Sequence, residues 1–517
     1  MTERLRLSED NRRWWTLGAM SFALFMVMLD NTAVNVALPS IQKDFGASLS
    51  ALEWTVNAYT LTFAVLLVTG GRLGDIFGRR RMFLFGVVVF ALSSATIGFA
   101  PTEGWLVASR AVQGIGAAFM MPGTLSIISN AFPPEERGKA IGTWAGVSAI
   151  ALALGPLLGG WLTESVSWRA IFFINLPVAA GAVAVTLFAA RESRDETVGR
   201  SVDVPGIAGI TVGLTALVFA LVEGNTWGWG SPAILGLLVL SVAAFVAFVV
   251  VEKRAVAPVV DFDSLRSKQF LGANIVAFLV SFGMLAMFFF LALYMQNILG
   301  FGPLEAGVRF LPSTVLIIFA GPVAGRLADR FGPRPLMTAG MLITSISLFW
   351  QSRLDVDTSY AFLAPAFVLM GLGMGLVMSP MSMAAMNAVD GSKAGVASGT
   401  LSMFRMVGGT FGVAGLGALV AAVGRRDLER SLPDTPAGTR DALVEGLGSG
   451  AGLESAPPQV VDAARAAFVD ALGTGLTISA IAVAVGGVLA WLLIAPGRPR
   501  ATPVPPAAEA EAELVAA

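Results

Sequence analysis

The 517-residue chain contains no cysteine and no histidine, and only 13% of it is charged. Those absences exclude disulfide frameworks, thiol nucleophiles, the usual zinc sets, haem ligation and any His-based triad or proton relay. Protonation chemistry therefore falls to carboxylates. The chain also lacks a GxxxxGK[ST] phosphate loop, so ATP is not expected to power it. Gly371-Leu-Gly373-Met-Gly375 is glycine-rich but lies inside an apolar run with no preceding strand, so it does not form a nucleotide loop. No cofactor, metal or nucleic acid is called for. The charge content is about half of what a soluble domain carries. Hydrophobic residues make up 55% of the chain and the mean hydropathy is +0.75, which indicates a lipid bilayer as solvent.

Apolar runs of about 20 residues, long enough to cross a bilayer as helices, occur fourteen times: 15–37, 52–71, 82–100, 105–128, 139–162, 170–190, 204–223, 232–252, 270–299, 306–325, 335–351, 361–386, 394–424 and 472–495. The first is no cleaved signal peptide, because it is long and contains Asp30 and Asn35. Lys and Arg concentrate in the N-terminal tail and the even-numbered connections, for example Arg79–Arg81, Arg191 and Arg194, Lys253 and Arg254, and Arg326 to Arg334. By the positive-inside rule both termini are expected in the cytoplasm. The expected class is an all-α polytopic membrane protein. Its expected divisions are a tail at 1–14, a six-helix unit at 15–200, two inserted helices at 201–265, a second six-helix unit at 266–495 with an outer loop at 425–470, and a disordered Pro/Ala/Glu tail at 496–517. Within the loop, Val460 to Leu472 has helical periodicity suited to the membrane surface.

An internal repeat carries the two-unit reading. Gly71-Arg-Leu-Gly-Asp75-Ile-Phe-Gly78-Arg79-Arg80 returns as Gly325-Arg-Leu-Ala-Asp329-Arg-Phe-Gly332-Pro-Arg334, with seven of ten positions identical. Facing repeats around a central site characterise secondary transporters. Further motifs are Leu29-Asp30-Asn-Thr-Ala-Val-Asn35-Val-Ala-Leu-Pro39 in the first run and Arg110-Ala-Val-Gln113-Gly114-Ile-Gly116 in the fourth. The fifth run carries Gly146 and then Gly155-Pro156-Leu-Leu-Gly159-Gly160. Trp54 to Tyr59, Trp168 to Pro177, Tyr294 to Pro312 and Arg405 to Gly409 complete the set.

With these motifs the chain resembles the major facilitator superfamily, in its fourteen-helix drug:proton antiporter branch, over about residues 15–491. The resemblance implies a cytoplasmic latch formed by Gly71, Asp75, Gly78, Arg79 and Asp329, made in one conformation and broken in the other. Asp75 is expected near a helix N-terminus, where the dipole stabilises a carboxylate. The resemblance also implies that Gly146, Gly155, Pro156, Gly159 and Gly160 form the motif that marks antiporters; the proline kinks the helix and the small residues allow close contact.

Asp30 is the leading proton carrier, because an ionisable group inside a membrane helix is costly and usually has a task. Arg110 keeps its proton and is expected to act as the fixed charge that Asp30 engages or releases. Asn57, Tyr59, Gln113, Asn274, Gln296 and Arg405 are candidate cavity residues. Where some fourteen-helix exporters of organic cations carry acidic residues in span 13, this chain has Arg405 and no Asp or Glu between Ser398 and Val420. Glu223 and Glu305 are expected at outer helix ends.

The expected function is proton-driven export of amphipathic small molecules, with protons and the small-molecule substrate as partners. A dedicated exporter of one metabolite or self-made antibiotic fits the same residues. An enzyme or sensor is disfavoured by the missing nucleophiles and the lack of an appended domain. The sequence leaves open an outer adaptor protein, and the two-unit repeat makes a monomer sufficient.

Overall fold

A computed structural model describes residues 9–194, 203–255, 258, 260, 262–389, 394–433, 435, 443 and 457–496. The tail from 497 onward, the first eight residues, Arg200, Lys393 and much of the 425–470 loop lie outside the described residues. Among those described, the elements are helices: α1 (Glu9–Phe45), α2 (Leu49–Phe77), α3 (Arg79–Gly98), α4 (Glu103–Ala131), α5 (Pro134–Ser165), α6 (Ala170–Phe173), α7 (Asn175–Ala189), α8 (Val204–Trp227), α9 (Pro232–Glu252) and α10 (Phe262–Leu265). They continue as α11 (Lys268–Leu293) with a π-helical turn at Tyr294–Ile298, α12 (Pro303–Arg309), α13 (Leu311–Phe331), α14 (Pro333–Gln351), α15 (Tyr360–Met386), α16 (Ala394–Ser431) and α17 (Pro458–Leu493).

Twelve spans among the described residues are long and apolar enough to cross a membrane. The runs expected at 139–162 and 335–351 fold as α5 and α14, which are not among those twelve. The protein is thus a multi-pass, all-helical membrane protein. One expectation is corrected. Val460 to Leu472 does not form a separate surface helix, because it is continuous with the last span in the 36-residue α17, about 54 Å long at 1.5 Å per residue.

The sequence repeat is also a packing repeat. In the first unit α4 packs on α2 and α3, and in the second α15 packs on α13 and α14. The contacts are made where glycines let backbones meet, as expected in lipid. Gly86 of α3 lies against the Gly116 carbonyl of α4, and Gly340 of α14, at the same spacing from its loop, lies against the Gly373 carbonyl of α15. Each loop turns on a glycine with left-handed backbone, Gly78 at φ 110° and Gly332 at φ 83°. A β-carbon is strained there, which explains why both copies keep glycine.

Helices α8 and α9 pack on each other, and α8 also packs on α2 and α16, tying this pair to both repeat units. Helix α9 presents Val239, Leu240, Val242, Val246 and Val250 outward, a lipid-type face.

Chain reversals fall at two ends of the bundle. The basic end gathers Arg79 with Ser193, Arg13 with Glu136, and Arg334 stacked on Trp491. The far end gathers Asp44 with Arg169, Glu164 with the Leu304 amide, and Tyr294 with the Asp355 carbonyl. The two repeat units touch at the far end: Gln296 donates to the Val36 carbonyl at 2.8 Å, and Gly160 lies against the Pro303 carbonyl.

Candidate functional site

A deeply buried charged cluster is built on five helices of the first unit, α1, α2, α3, α4 and α7. Asp30 of α1 is fully buried and Arg110 of α4 is 1% exposed. Arg110 Nη1 donates to Asp30 Oδ2 at 2.5 Å and to Gln113 Oε1 at 2.7 Å, and its Nε donates to the Thr55 carbonyl of α2 at 3.0 Å. Gln113 Nε2 reaches Asp30 Oδ1 at 3.2 Å. Arg110 and Gln113 are one helical turn apart, so a single face of α4 holds both the charge and the amide that fix the carboxylate. Tyr59 of α2 lies beneath the guanidinium, 4.3 Å from ring centre to Cζ, and so adds a cation–π contact.

Two further residues complete the cluster: Asn175, which the sequence offered only within the Trp168 to Pro177 motif, and Ser94, which it did not single out. Asn175, at the start of α7, donates to Asp30 Oδ1 at 3.5 Å and to Ser94 Oγ of α3 at 2.9 Å. Ser94 in turn donates to the Phe172 carbonyl at 2.9 Å. The signals were present, because Asn175 and the Ser93-Ser94 pair are polar residues inside apolar runs.

Desolvating two ions costs several kcal/mol each, which a buried pair offsets only with good geometry and extra hydrogen bonds. Here both carboxylate oxygens of Asp30 and three nitrogens of the Arg110–Gln113 pair are engaged. A proton on Asp30 would remove the ion pair and leave Arg110 held by Thr55 and Gln113.

The α5 glycines sit beside this cluster. Gly155 packs on Thr32 and Gly159 on Ala33, both on α1 just past Asp30, so closely that a β-carbon at either would overlap. Gly160 faces the opposite way, against Pro303 and Leu304, and the Pro156 carbonyl lies against Gly307 of α12. This segment of α5 therefore touches both the charged helix of its own unit and the other unit. Gly146 borders open space.

At the basic end, Asp75 accepts from Arg79 Nε at 2.8 Å, and Gly71 packs on Pro122. Asp75 lies in the last turn of α2, and the carboxylate at the N-terminus of α3 is Glu192. Its oxygens accept from the Arg80 and Arg81 amides at 3.0 and 3.2 Å, which corrects the placement expected for Asp75. Gly78 is also needed for this contact, since a β-carbon there would strike the Glu192 carboxyl. Asp329, the second-copy counterpart, is exposed.

The remaining candidates are scattered. Asn57 is fully buried with both amide atoms unpartnered. Asn274 donates to the Phe270 carbonyl of its own helix. Gln296 joins the two units, and Arg405 is half-buried on α16 with Nε unpartnered. Glu305 pairs with Arg309, while Glu223 accepts from Trp54 Nε1 at 2.9 Å and Ser50 at 3.1 Å. Glu53, a buried carboxylate one turn into α2, was passed over in the sequence.

Long apolar helices in two packed repeat units, the first of which encloses a fully buried ion pair, are the build of a membrane transporter of small molecules. The chain belongs to the Major Facilitator Superfamily, whose family model matches residues 20–413. It is 36% identical to the tetracenomycin C resistance and export protein of Streptomyces glaucescens, over 93% of this chain and 91% of that one. It is 39% identical to the puromycin resistance protein of Streptomyces alboniger, over 84% and 87%. It is 33% identical to a multidrug transporter protein of Bacillus subtilis, over 80% and 76%. A crystal structure of a bacterial homologue of the human lysosomal transporter Spinster, inward-facing and unoccupied, superposes with TM-score 0.64 at 17% identity, covering 93% of this chain and 97% of that chain, so it shares the fold.

Proposed function

We propose that the protein exports amphipathic small molecules in exchange for protons, with Asp30 as proton carrier and Arg110 as its fixed partner. The observation that carries this reading is the Asp30–Arg110 pair, fully buried in membrane helices and joined to Gln113 and Asn175. Asp30 is the protonatable member, and protonation leaves Arg110 facing a neutral carboxyl in place of a charged one. The α5 segment next to it packs on α1 through Gly155 and Gly159 and on the other unit through Gly160, which offers a short mechanical route from protonation to rocking. Relatives named for export of tetracenomycin C, for puromycin resistance and for multidrug transport support the substrate class.

In this reading the chain lies in a bacterial cytoplasmic membrane with fourteen spans, its two helices α8 and α9 inserted between six-helix units. The basic end and both termini face the cytoplasm. The far end is then the outer face and is closed, with Asp75 and Arg79 holding the inner latch within one unit. Asn57, Tyr59, Gln113, Asn274, Gln296 and Arg405 are the residues proposed to meet substrate once the units part; in this closed arrangement Asn57, Tyr59, Gln113 and Asn274 are fully buried. A monomer is sufficient, and no soluble domain is needed.

The test is accumulation of ethidium, puromycin and a polycyclic aromatic of the tetracenomycin type in cells lacking their own pumps. Its arms are wild type, Asp30→Asn, and wild type with the proton gradient collapsed, at matched expression. Wild type should lower accumulation and both other arms should abolish the effect. Activity on only one compound favours a dedicated exporter, the reading supported by the single-antibiotic names among the relatives. Activity that survives gradient collapse sinks proton coupling.

A further inference from the structure

Glu53 lies on the first turns of α2, at the outer face in the orientation proposed above, and is 2% exposed. Its Oε2 has no partner. The charge that acts on it is another carboxylate, Glu223 of α8, which is held between Ser50 and Trp54, the residues flanking Glu53 on the same face of α2. Across from it, Gly417 of α16 has no room for a β-carbon because the Glu53 carboxyl occupies that space. One turn deeper, the buried Asn57 also lacks partners, and beyond it Thr60 bonds Thr410 of α16 at 2.8 Å. Glu53, Asn57 and Thr60 share one face of α2 by their spacing. That face is the seam between the two repeat units.

The other charges around this part of α2 are committed elsewhere. On α4, Arg110 is bound to Asp30 of α1 and to the Thr55 carbonyl. Asp44 of α1 pairs with Arg169. On α16, Arg425 donates to the Asn225 carbonyl of α8 beyond the seam, and Arg405 lies about three turns deeper. On α3, Arg79 to Arg81 are at the basic end. No cation among the described residues is paired with Glu53. An ionised carboxylate buried without a partner and facing a second carboxylate is strongly disfavoured.

We propose that Glu53 is a second proton-binding group, separate from Asp30, which carries a proton while α2 is closed against α16 at Gly417 and loses it to the outer solution when that seam opens. Its carboxyl, neutral in the closed seam, packs against the Gly417 backbone without a counter-charge. Once opened to water it ionises, and the cost of returning that charge to the Gly417 contact beside Glu223 keeps the seam open until a proton returns. Glu53 is a positioning residue of the outer gate. Its proton exchanges with the outer side only, whereas Asp30 carries the transported one. The proposal rests on the alternating-access reading above.

Because the chain has no native cysteine, spin labels at introduced Lys43→Cys and Ser359→Cys, both exposed on the outer face of opposite units, report the gate in the full-length protein in lipid nanodiscs. Distances are measured by electron-spin resonance between about pH 5.5 and about pH 8.5, where one proton can change the closed-to-open ratio by up to about tenfold per pH unit. The expected result is a shift toward the short distance as pH falls, present in wild type and in Asp30→Asn, and absent in Glu53→Gln, which stays closed throughout. Glu53→Gln is isosteric, and Glu223→Gln serves as a second variant that weakens the shift without touching the seam. A pH response that persists in Glu53→Gln, or one lost in Asp30→Asn instead, overturns the proposal. So does a Glu53→Gln protein that loses tetraphenylphosphonium binding while keeping its pH response, since Glu53 would then be a cation site. If the labels respond as expected while wild type exports no dye, the proton site stands and the export reading fails.

Discussion

Gly155 of α5 lies so close to Thr32 of α1 that a β-carbon on the glycine would overlap the threonine hydroxyl. Asp30 is one helical turn or less from that contact. The positions of Asp30 and of the helix that meets the opposite unit are therefore set by one steric fit. Interiors packed this closely transmit a displacement of a few tenths of an ångström.

Adding one methyl group at that contact tests the coupling. Gly155→Ala should cost about 1–3 kcal/mol of packing and sharply reduce export at normal expression. Thr32→Ala in the same chain should restore part of it, because the nearest atom struck is the hydroxyl while the Thr32 Cβ stays in place. Gly159→Ala should not be rescued by any side-chain change, since the Ala33 backbone is in the way. Gly146→Ala, which borders open space, should be nearly silent. Dye efflux and thermal unfolding in detergent read all four variants.

Asp30 and Arg110 should be non-additive. Removing one partner of a buried pair leaves the other charge uncompensated, at a cost of about 3–5 kcal/mol. Asp30→Asn and Arg110→Gln should each lower thermal stability, while the double variant should lie closer to wild type than the sum of the two. Equal, additive losses would mean that the 2.5 Å contact carries no coupling. None of these variants should retain proton-driven export.

Glu192 caps α3 through two backbone amides and braces Gly78. Glu192→Ala should destabilise the protein by roughly 1 kcal/mol, within the range seen for lost helix caps. Glu192→Gln keeps one acceptor oxygen but sets an NH2 donor against the second amide, so it should lose part of the cap. Gly78→Ala should be worse than either, because it combines a strained backbone with collision against the carboxyl. Thermal unfolding of the three variants ranks them, and a silent Gly78→Ala would contradict the φ of 110°.

Thr60 and Thr410 are 2.8 Å apart across the seam between the units, close enough for a short cross-link after both are replaced by cysteine. Oxidised Thr60→Cys/Thr410→Cys protein should export nothing, and reductant should restore activity. Transport that continues with the cross-link formed would show that this seam does not need to part.

Much of the fold was legible because lipid imposes a simple rule. Every backbone group must be satisfied within a helix, so apolar runs of sufficient length are read directly as spans. The Gly71 and Gly325 loops declared the repeat, since their turns need glycine at 78 and 332 whatever surrounds them. Asp30, Arg110 and Gln113 were legible for a related reason, as polar groups that a membrane helix does not carry without cause. Asn175 and Ser94 were harder to find. Their role depends on α7 and α3 meeting beside Asp30, and a polar residue in an apolar run says nothing of its partner.

The sequence by itself therefore determined the helices, the repeat, the buried carboxylate in α1 and the glycines of α5. Only the tertiary structure decided how they are used. It showed how Gln113, Asn175 and Thr55 hold the Asp30–Arg110 pair that the sequence led one to expect, that Gly155 and Gly159 face α1 while Gly160 faces the other unit, and that Glu192 takes the helix terminus expected of Asp75. It also revealed Glu53, which reads in sequence as an ordinary charge at a helix end and is in fact sealed against Gly417, more than three hundred residues away. Periodicity and composition are local properties that fix each helix one turn at a time, whereas burial and pairing depend on which helices are neighbours and on their rotation, which are set by contacts far apart in the chain.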